Sequence, residues 1–387
     1  GWSFADVLPY FKRSENSWRG TDKFHQTGGP LNVRHGGAAQ LLYEPFAKAA
    51  QAAGYKVTDD ISGDDPEGIF VTELTVDKRG RRHSTARAFL SPAMQRPNLT
   101  VVTRALTRRV VIEQGRAVGV EYSVGGVSEI ARCAREVVLS AGAYNSPQLL
   151  LLSGIGPAEE IRAHGIAPLV DLPGVGRNLM EHASCPVIVP AKGPITFQAQ
   201  LRYDRAAMWA LRWALFGDGP FAINGNTAGI FLRSRPELER PDLQLTFNTV
   251  SIYDRPWFPW QYKSQKYSFS CIVCLLHPDS RGRVTLRSSD PAAAPKIHLN
   301  IFSEQADVDL AVEGIRRTRA VYAQEPQASL IAGEALPGAH VQSDKDLGDH
   351  VRRTASTMQH PAGTCAMGIG KDAVLDAELR VRGVQGL

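Results

Sequence analysis

The stretch from residue 136 to residue 152 constrains the fold more than any other part of the chain. Glu136–Ser140 is a short apolar run, typical of a strand that is buried on both faces. It leads through Ala141 and Gly142 into a leucine-rich helix. Strand, glycine turn and helix in this order point backbone N–H groups and a helix N-terminus at a bound cofactor, although the same connection is common in α/β proteins generally. The stretch therefore predicts an α/β fold.

The segment before this stretch is predicted to form a β-meander. Leu99–Thr103, Arg109–Glu113 and Val118–Ser123 alternate in polarity or carry β-branched side chains. Residues 114–115, Gln-Gly, and residues 125–126, Gly-Gly, supply tight turns. We expect antiparallel strands joined by these turns.

Residues 190–300 are predicted to form a second region. Its helical stretch Met208–Phe216 carries Trp209 and Trp213 at helical spacing, which is more typical of a protein core than of a substrate lining. The glycines that follow this stretch leave a mobile lid as the alternative. The predicted strands of the region lie near 243–249, 267–276 and 283–287.

The length of 387 residues is too great for one small core, so we expect two domains. The hydrophobic content of 43% and the charged content of 21% are ordinary for a globular protein. The net charge is only +5, and no long Lys/Arg run suggests binding of nucleic acid. No run approaches the roughly 20 apolar residues of a membrane span. We expect a cytoplasmic protein, or one associated with a membrane surface.

The five cysteines are too few and too odd in number to suggest a disulfide framework. Cys271 and Cys274 spell C-x-x-C, but no second pair completes a zinc site. They lie in an apolar run that is typical of a strand, where residues i and i+3 point to opposite faces. We therefore predict buried thiols and no metal.

A candidate catalytic residue, His360, lies near the C-terminus. Ser343–Asp346 is typical of a capping box and predicts a helix that runs through Ala355, and Pro361 cannot continue that helix. His360 is therefore predicted at a helix-to-loop corner, with glycines behind it that permit close backbone approach. Imidazole suits proton transfer near neutral pH, although most of the ten histidines have no such role.

These motifs, in this order, resemble those of the glucose–methanol–choline (GMC) oxidoreductases, a family of FAD enzymes that oxidise alcohols. Residues 142–156 are similar to the family's second signature over its whole length, and residues 173–182 to the segment that usually follows. Residues 278–282 and 288–291 also fit, and residues 360–364, His-Pro-Ala-Gly-Thr, resemble the catalytic histidine motif. The resemblance covers essentially the whole chain.

The resemblance implies an FAD cofactor and oxidation of a primary alcohol to an aldehyde. In this family hydride passes from the alcohol carbon to flavin N5, and His360 matches the residue that acts as acid and base. Thr107 falls where the family's meander meets the adenine side of the cofactor. Ala141 and Gly142 fall beside FAD, and Gln359 and His360 are expected to face the flavin ring.

The fold class implied by the family is α/β, more strictly α+β. A GMC-type FAD-binding domain is interleaved with a substrate domain built on an antiparallel sheet with helices. We assign 93–189 to the FAD-binding domain and 1–92 with 190–354 to the substrate or cap domain. Residues 355–387 are predicted to return to the FAD-binding domain with the catalytic histidine.

Two departures from the family pattern lead us to interpret the sequence as an internal fragment. Family members begin with a βαβ unit whose G-x-G-x-x-G loop holds the ADP part of FAD, and no such fingerprint occurs here. They also carry a second catalytic His or Asn beyond the position that matches Leu387. We expect the fragment alone to bind FAD poorly, to aggregate and to be inactive.

Alternatives to an alcohol dehydrogenase stay open. The electron acceptor is a quinone, a carrier protein or oxygen, and the last would make the enzyme an alcohol oxidase. A lyase of the hydroxynitrile type would use His360 without net redox change. The third alternative is a non-catalytic remnant.

The small-molecule substrate is expected to be a neutral alcohol. Choline-handling members carry an acidic residue near the Asn224-Gly225 loop, where this chain has Thr227. The region is instead aromatic, which suits an aliphatic or aromatic alcohol, although these side chains are equally typical of a core. The aromatic residues are Trp209, Trp213, Phe216, Trp257, Phe258 and Trp260.

Overall fold

A computed structural model describes residues 1–36, 42–250, 254–258, 260 and 267–387. Its helices are α1 (Phe4–Ser14), α2 (Tyr43–Ala52), α3 (Ser91–Ala93), α4 (Gly142–Leu152), α5 (Ala158–Ala163), α6 (Tyr203–Phe216), α7 (Gln305–Tyr322), α8 (Gln327–Leu330) and α9 (Asp344–Thr354). A π-helical turn, Ala86–Leu90, precedes α3, and 3-10 helices occur at Phe197–Leu201 and Pro220–Ala222.

The strands follow in chain order. They are β1 (Glu15–Ser17), β2 (Leu31–His35), β3 (Gly68–Val71), β4 (Glu73–Leu74), β5 (Leu106–Glu113), β6 (Arg116–Val124), β7 (Val127–Arg132), β8 (Ile155–Gly156), β9 (Val170–Asp171), β10 (Ala183–Pro190), β11 (Asn226–Leu232), β12 (Leu243–Asn248), β13 (Ser268–Leu275), β14 (Arg283–Thr285), β15 (Lys296–His298) and β16 (Ser356–Thr357).

The chain divides into two compact units, each built from three segments. The first unit contains Gly1–Leu99, Ala183–His277 and Gln305–Ser356, and the second unit contains Thr100–His182, Pro278–Glu304 and Thr357–Leu387. The units differ from the predicted domains chiefly in residues 278–304, which the sequence analysis placed with the substrate domain. The assignment of FAD and substrate to particular domains stays a prediction.

Residues 278–304 lie in the second unit because their backbone pairs there. Leu179 and Gly282 exchange two hydrogen bonds, of 3.0 and 2.7 Å, and the Val284 N–H donates to the Gly176 carbonyl at 2.7 Å. Gly176 has φ +78°, and a Cβ at this position would lie 2.2 Å from the Val284 oxygen, so only glycine permits this approach.

The first unit is organised around a sheet that contains β10, β13, β12, β11 and β3 in that order, with antiparallel pairing throughout this run. Helix α7 packs on it so closely that a Cβ on Gly314 would lie 2.3 Å from Val273 Cγ1. Phe46 stacks on Phe247 with ring centroids 4.2 Å apart. Strands β12 and β13 confirm two predicted strands, and Cys271 is buried in β13 with Cys274 as expected.

Helix α6 contains the predicted tryptophan stretch, but the interpretation of that stretch as core is wrong for much of its surface. Trp209 and Trp213 are half-buried, and both indole N–H groups donate hydrogen bonds. Leu211, Leu215 and Phe216 are 61%, 66% and 70% exposed. A single face of this helix packs against the unit, and helical periodicity alone does not tell which apolar face that is.

The second unit contains an antiparallel meander of β5, β6 and β7. Strands β5 and β6 confirm the predicted strands Arg109–Glu113 and Val118–Ser123, whereas β7 was not predicted. Both predicted turns occur, because Gln114, Gly115, Gly125 and Gly126 all have positive φ. Helix α4 and the neighbouring segments bury one apolar cluster against it. Its members are Val110, Ala117, Leu150, Leu151, Leu152, Ile155, Ile161, Leu172, Val175, Leu286, Val374, Val381 and Val384.

Two predicted strands of this unit are wrong. Neither Leu99–Thr103 nor Glu136–Ser140 is a strand, because neither forms a ladder with another segment within the described residues. Val138 is 74% exposed, and the Val137 N–H donates singly to the Gly386 carbonyl at 2.9 Å. An apolar run is typical of a strand, but it becomes one only by pairing.

No helix in the described ranges has the length and apolar character needed to cross a membrane.

Candidate active site at the His360 loop

The loop that carries His360, residues 357–364, lies against residues 178–182 within the second unit. Met180 and Ala362 exchange two backbone hydrogen bonds, of 2.9 and 3.0 Å. The Met358 N–H donates to the His182 carbonyl at 3.3 Å. This short antiparallel bridge fixes the register of the loop against residues 178–182. We refer to residues 357–364 as the His360 loop.

The predicted position of His360 at a helix end is wrong. Ser343 caps α9 as predicted, accepting the Asp346 N–H at 3.1 Å, but the helix ends at Thr354, before the His360 loop begins. Gln359 has φ +63°, a left-handed conformation that non-glycine residues rarely adopt. The direction of His360 is therefore set by a left-handed residue and by pairing with residues 178–182.

Gly363 closes the loop on its far side. It has φ +93°, and a Cβ there would lie 2.2 Å from the Asn178 backbone oxygen. Asn178 is itself left-handed, with φ +59°, and its Oδ1 accepts a hydrogen bond from Arg281 Nε at 3.0 Å. The glycine predicted to permit close backbone approach does so, and the surface that it approaches is protein backbone.

Glu181 is the one acidic side chain that the His360 loop contacts directly among the hydrogen bonds of the described residues. Its carboxylate is buried, with 3% of the residue exposed. Oε1 accepts the His360 N–H at 2.8 Å and the His182 N–H at 3.0 Å. Oε2 is buried and accepts no hydrogen bond from the described part of the chain.

The imidazole of His360 is available for chemistry. The residue is exposed, and its ring nitrogens make no hydrogen bond to any residue that the structure describes. Its ring meets the ring of His182 edge to face, with centroids 5.6 Å apart and planes 86° apart. The backbone of His360 is therefore held while its ring is left free.

The loop is also tied to the start of α4. Thr364, which is buried, donates its hydroxyl hydrogen to the Ala143 carbonyl at 2.6 Å. Gly142 opens the helix with φ +79°, and no side chain of the described residues caps the helix N-terminus. The first N–H groups of α4 consequently lack the usual capping acceptor, which leaves a favourable site for negative charge.

A cavity of about 580 Å³ lies between the start of α4 and the end of the His360 loop. Gly142, Ala143 and residues 361–365 line it, with apolar walls from Val137 and Leu139. Burial raises the pKa of the Cys365 thiol to about 12, so this lining cysteine is not a thiolate at neutral pH.

The predicted site residues fall into three neighbouring groups. Thr107 and Ala141 line a second cavity, of about 400 Å³, while Gly142 lines the first. Gln359 and His360 line neither cavity, although Pro361 lines the first. The first two groups adjoin the N-terminus of α4.

Sequence reasoning missed Glu181. Its bond to His360 spans 179 positions, so no local pattern reports it. The available signal was an acidic residue directly before His182, in a segment already noted as similar to a family motif. Thr364 was noted as part of a motif, but its bond to Ala143 was not foreseen.

Family comparison gives a clear answer. A family model described as GMC oxidoreductase matches residues 1–184, and a second model with the same description matches residues 278–387. The oxygen-dependent choline dehydrogenase of Brucella anthropi is 40% identical over 390 residues, covering 100% of this chain and 70% of that protein. The chain belongs to the GMC oxidoreductase family. The predicted family membership is confirmed.

Solved structures confirm the GMC fold as well. The pyridoxine 4-oxidase of Mesorbium loti matches with a TM-score of 0.85 at 26% identity, covering 100% of this chain and 71% of that one. A formate oxidase variant from Aspergillus oryzae matches with a TM-score of 0.89 at 26% identity, covering 100% and 72%. The predicted fold class, mixed α/β with an antiparallel sheet and helices in a GMC fold, is confirmed.

GMC oxidoreductases are FAD-binding flavoproteins, and FAD modification is a property of the formate oxidase named above. FAD is thus the cofactor of the family, as predicted. The lining near α4 fits part of such a molecule, because it combines apolar walls, close glycine backbone and an uncapped helix N-terminus. Apolar walls and glycine backbone suit the flat rings of the cofactor, and the helix N-terminus suits its phosphates.

Proposed function

We propose that this protein is an FAD-dependent oxidoreductase that oxidises a primary alcohol to an aldehyde, with His360 as the acid–base residue. The observation that carries the proposal is the exposed imidazole of His360, whose backbone is held by a buried carboxylate while its ring nitrogens make no hydrogen bond to the described residues. Membership of the GMC family supports the reaction type. FAD, when bound, supplies the acceptor for the hydride.

His360 would take the hydroxyl proton of the alcohol. An alcohol holds this proton too tightly to lose it unaided at neutral pH, so loss of hydride from carbon needs a nearby base. Imidazole is the side chain whose ordinary pKa lies closest to neutrality. Cys365, the nearest thiol in sequence, is a poorer candidate for this role, because burial raises its pKa to about 12.

The remaining predicted residues would hold the cofactor. Ala141 and Gly142 contribute backbone at the start of α4, and Thr107 shares the second cavity with Ala141. Gln359 would hold its part of the loop beside the ring. These roles rest on the family resemblance and on the two cavities, and each can be tested by measuring FAD affinity in single variants.

The proposed substrate is a neutral primary alcohol. The family resemblance leads us to expect an acidic residue near the Asn224-Gly225 loop in choline-handling members, where this chain has Thr227, which is buried with 1% exposed. A threonine cannot balance a quaternary ammonium by charge. Among the predicted aromatic residues, Trp257 is buried, whereas Phe258 stacks on Tyr203 at 4.1 Å and on Trp260 at 4.5 Å.

Choline is the second candidate substrate, because choline dehydrogenases are 40% identical over the whole chain. A panel of choline, butanol and benzyl alcohol separates the two candidates by kcat/KM. It is measured on the FAD-loaded protein, meaning the chain extended to the length of its curated relatives, of which it covers 70%. The neutral-alcohol proposal predicts no preference for choline. A choline preference above about tenfold, roughly 1.4 kcal/mol in the transition state, would replace it.

The reaction class is tested by mixing the FAD-loaded protein with a primary alcohol without oxygen and following flavin absorbance. We expect bleaching of the flavin with one aldehyde formed per flavin reduced. tert-Butyl alcohol is the matched control, since it has a hydroxyl group but no hydrogen on the carbinol carbon, and it should cause no bleaching. Admitting oxygen afterwards distinguishes an oxidase from a dehydrogenase by the rate of reoxidation.

The outcome that contradicts the redox proposal is an unbleached flavin with every alcohol in the panel. Cleavage of a cyanohydrin by the same preparation, without bleaching, would then establish the lyase alternative in its place.

A further inference from the structure

Burial of the Glu181 carboxylate has a free-energy cost that the fold must offset. A buried carboxylate loses its hydration, and one of its two oxygens, Oε2, accepts no hydrogen bond within the described residues. Both bonds that it does make go to backbone N–H groups, those of His182 and His360. A carboxylate bonded by two N–H groups makes charge-assisted bonds, which are about twice as strong as neutral ones. An apolar residue at this position would avoid the burial cost but would leave two N–H groups unpaired.

The bond to His360 falls at the strained point of the loop. Gln359 is left-handed, and the next N–H along the chain is the one that Glu181 accepts. Left-handed conformations of non-glycine residues persist only where the surroundings hold them. Met180–Ala362 pairing and Gly363 fix the loop beyond His360, but Glu181 holds the peptide between Gln359 and His360 itself.

The negative charge of Glu181 is felt beyond the two N–H groups. Burial, and after it the charge of Glu181, raises the pKa of the Tyr144 phenol in the first turn of α4. Thr364 joins the same turn to the His360 loop. The carboxylate thus lies where residues 178–182, the His360 loop and the start of α4 meet.

We propose that Glu181 is a positioning residue, whose buried carboxylate clamps the peptide between Gln359 and His360 and so sets the direction of the His360 imidazole. This inference rests on the proposed acid–base role of His360 for its effect on rate, but its structural part stands without that role. Glu181 itself does not transfer the proton.

Three substitutions separate geometry from charge. Glu181→Gln keeps an acceptor oxygen at the same reach and removes the charge. Glu181→Asp keeps the charge and withdraws the oxygens by one methylene, and Glu181→Ala removes the clamp. Glu113→Gln is the matched control, because Glu113 is exposed, lies in the same unit and forms an exposed ion pair with Arg132.

The first readout is amide hydrogen exchange of residues 358–363, which needs neither FAD nor activity. We expect exchange at least tenfold faster in Glu181→Ala and in Glu181→Asp, little change in Glu181→Gln, and no change in Glu113→Gln. Strands β5 and β6 serve as the internal reference, since their exchange should be the same in every variant. If Glu181→Ala fails to fold, Glu181→Asp and Glu181→Gln still give the comparison.

The second readout is the rate of flavin reduction in the FAD-loaded variants. A misplacement of about 1 Å can cost about a hundredfold, so Glu181→Ala and Glu181→Asp should lose about that factor in kcat, with KM changed less than threefold. Glu181→Gln should lose less than tenfold. A merely structural role would lower FAD content, raise KM and lower kcat together, whereas the positioning role lowers kcat at unchanged FAD content and nearly unchanged KM.

Unchanged exchange of residues 358–363 in both Glu181→Ala and Glu181→Asp would overturn the inference. Parental amide exchange and kcat in Glu181→Asp but not in Glu181→Gln would also overturn the inference. The charge of the side chain would then matter more than the position of its acceptor oxygen. Failure of the acid–base proposal gives a different result: His360→Asn would keep its reduction rate while the Glu181 variants still changed exchange.

Discussion

Two histidines of this protein contact carboxylates in opposite ways. In the first unit His25 is 3% exposed, and its Nδ1 lies 3.1 Å from both oxygens of Glu15 while its Nε2 lies 3.2 Å from both oxygens of Asp60. In the second unit the carboxylate of Glu181 binds the backbone of His360, and the ring is exposed.

The difference shows which of the two imidazole rings is accessible to a ligand. Both nitrogens of His25 face carboxylates in a buried position, so its ring is not accessible to a substrate. His360 is fixed through its backbone N–H, and its exposed ring makes no hydrogen bond to the part of the chain that the structure describes. In this protein the ring of His25, buried between two acids, is typical of a structural histidine. The ring of His360 is exposed, and only its backbone is bonded to an acid.

The largest effect on stability is expected from Gly363→Ala, which places a side chain at the tightest contact of the His360 loop. The new Cβ would lie 2.2 Å from the Asn178 oxygen at a residue with φ +93°, so strain and a backbone clash add. We expect a loss of about 3 kcal/mol or more in the free energy of unfolding, measured by urea denaturation.

Gly115→Ala is the control for that substitution. Gly115 also has positive φ, +76°, but a Cβ there meets nothing within 4 Å. The left-handed conformation alone should cost about 1–2 kcal/mol. Equal losses in the two variants would mean that the close approach of the loop to residue 178 does not exist in solution.

His25→Gln should produce the next largest effect, and one that depends on pH. Burial pushes the pKa of His25 down, but the hydrogen bonds and charges of Asp60 and Glu15 outweigh it, so the folded-state pKa is raised. Protonation then favours the folded state: this stability is fully present below the unfolded pKa of about 6.5 and is lost as pH rises through the folded value.

Near pH 6 we expect His25→Gln to cost about 2 kcal/mol, since it removes bonds between a charged ring and two acids. The gap in melting temperature between variant and parent should narrow as pH rises above 7. His298→Gln, on the exposed strand β15, should show no gap at any pH. A gap that widens with pH would show that His25 is neutral in the fold.

Cys365→Ala should have the smallest effect on the rate of flavin reduction. It tests whether Cys365 could act as a base in place of His360. Burial raises the pKa of this thiol to about 12, so no thiolate is available near the loop at neutral pH. We expect flavin reduction within about twofold of the parent, and no alkylation of Cys365 in the native protein by iodoacetamide at pH 8. Rapid alkylation, located by peptide mass mapping, would put a second base candidate beside His360.

Local sequence chemistry predicted the parts of the fold that local chemistry determines. The two turns of the meander, the capping box at Ser343 and the leucine-rich helix α4 each depend on residues a few positions apart. Leu99–Thr103 and Glu136–Ser140 were predicted wrongly as strands because pairing is a long-range property. Tryptophan spacing in α6 predicted the helix and not the face that it buries.

For the candidate site the sequence predicted residue types, and the roles of those residues stay predictions. A histidine before Pro361 and a family motif identified His360, and a glycine turn identified Gly142. The carboxylate that holds His360 comes from a residue 179 positions away, and the left-handed conformation at Gln359 has no sequence signal, since glutamine is not a residue that favours it.

The most direct test of the central claim is the rate of flavin reduction in His360→Asn, with the parent protein at equal FAD content and with alcohol as reductant in the absence of oxygen. Stopped-flow absorbance of the flavin gives the rate constant for this half-reaction alone. Loss of a general base typically lowers such a rate by about 10²–10⁴-fold, and we predict a loss in that range, with the His25→Gln variant at the parental rate. A His360→Asn rate within a few-fold of the parent, at unchanged FAD content, would contradict the account.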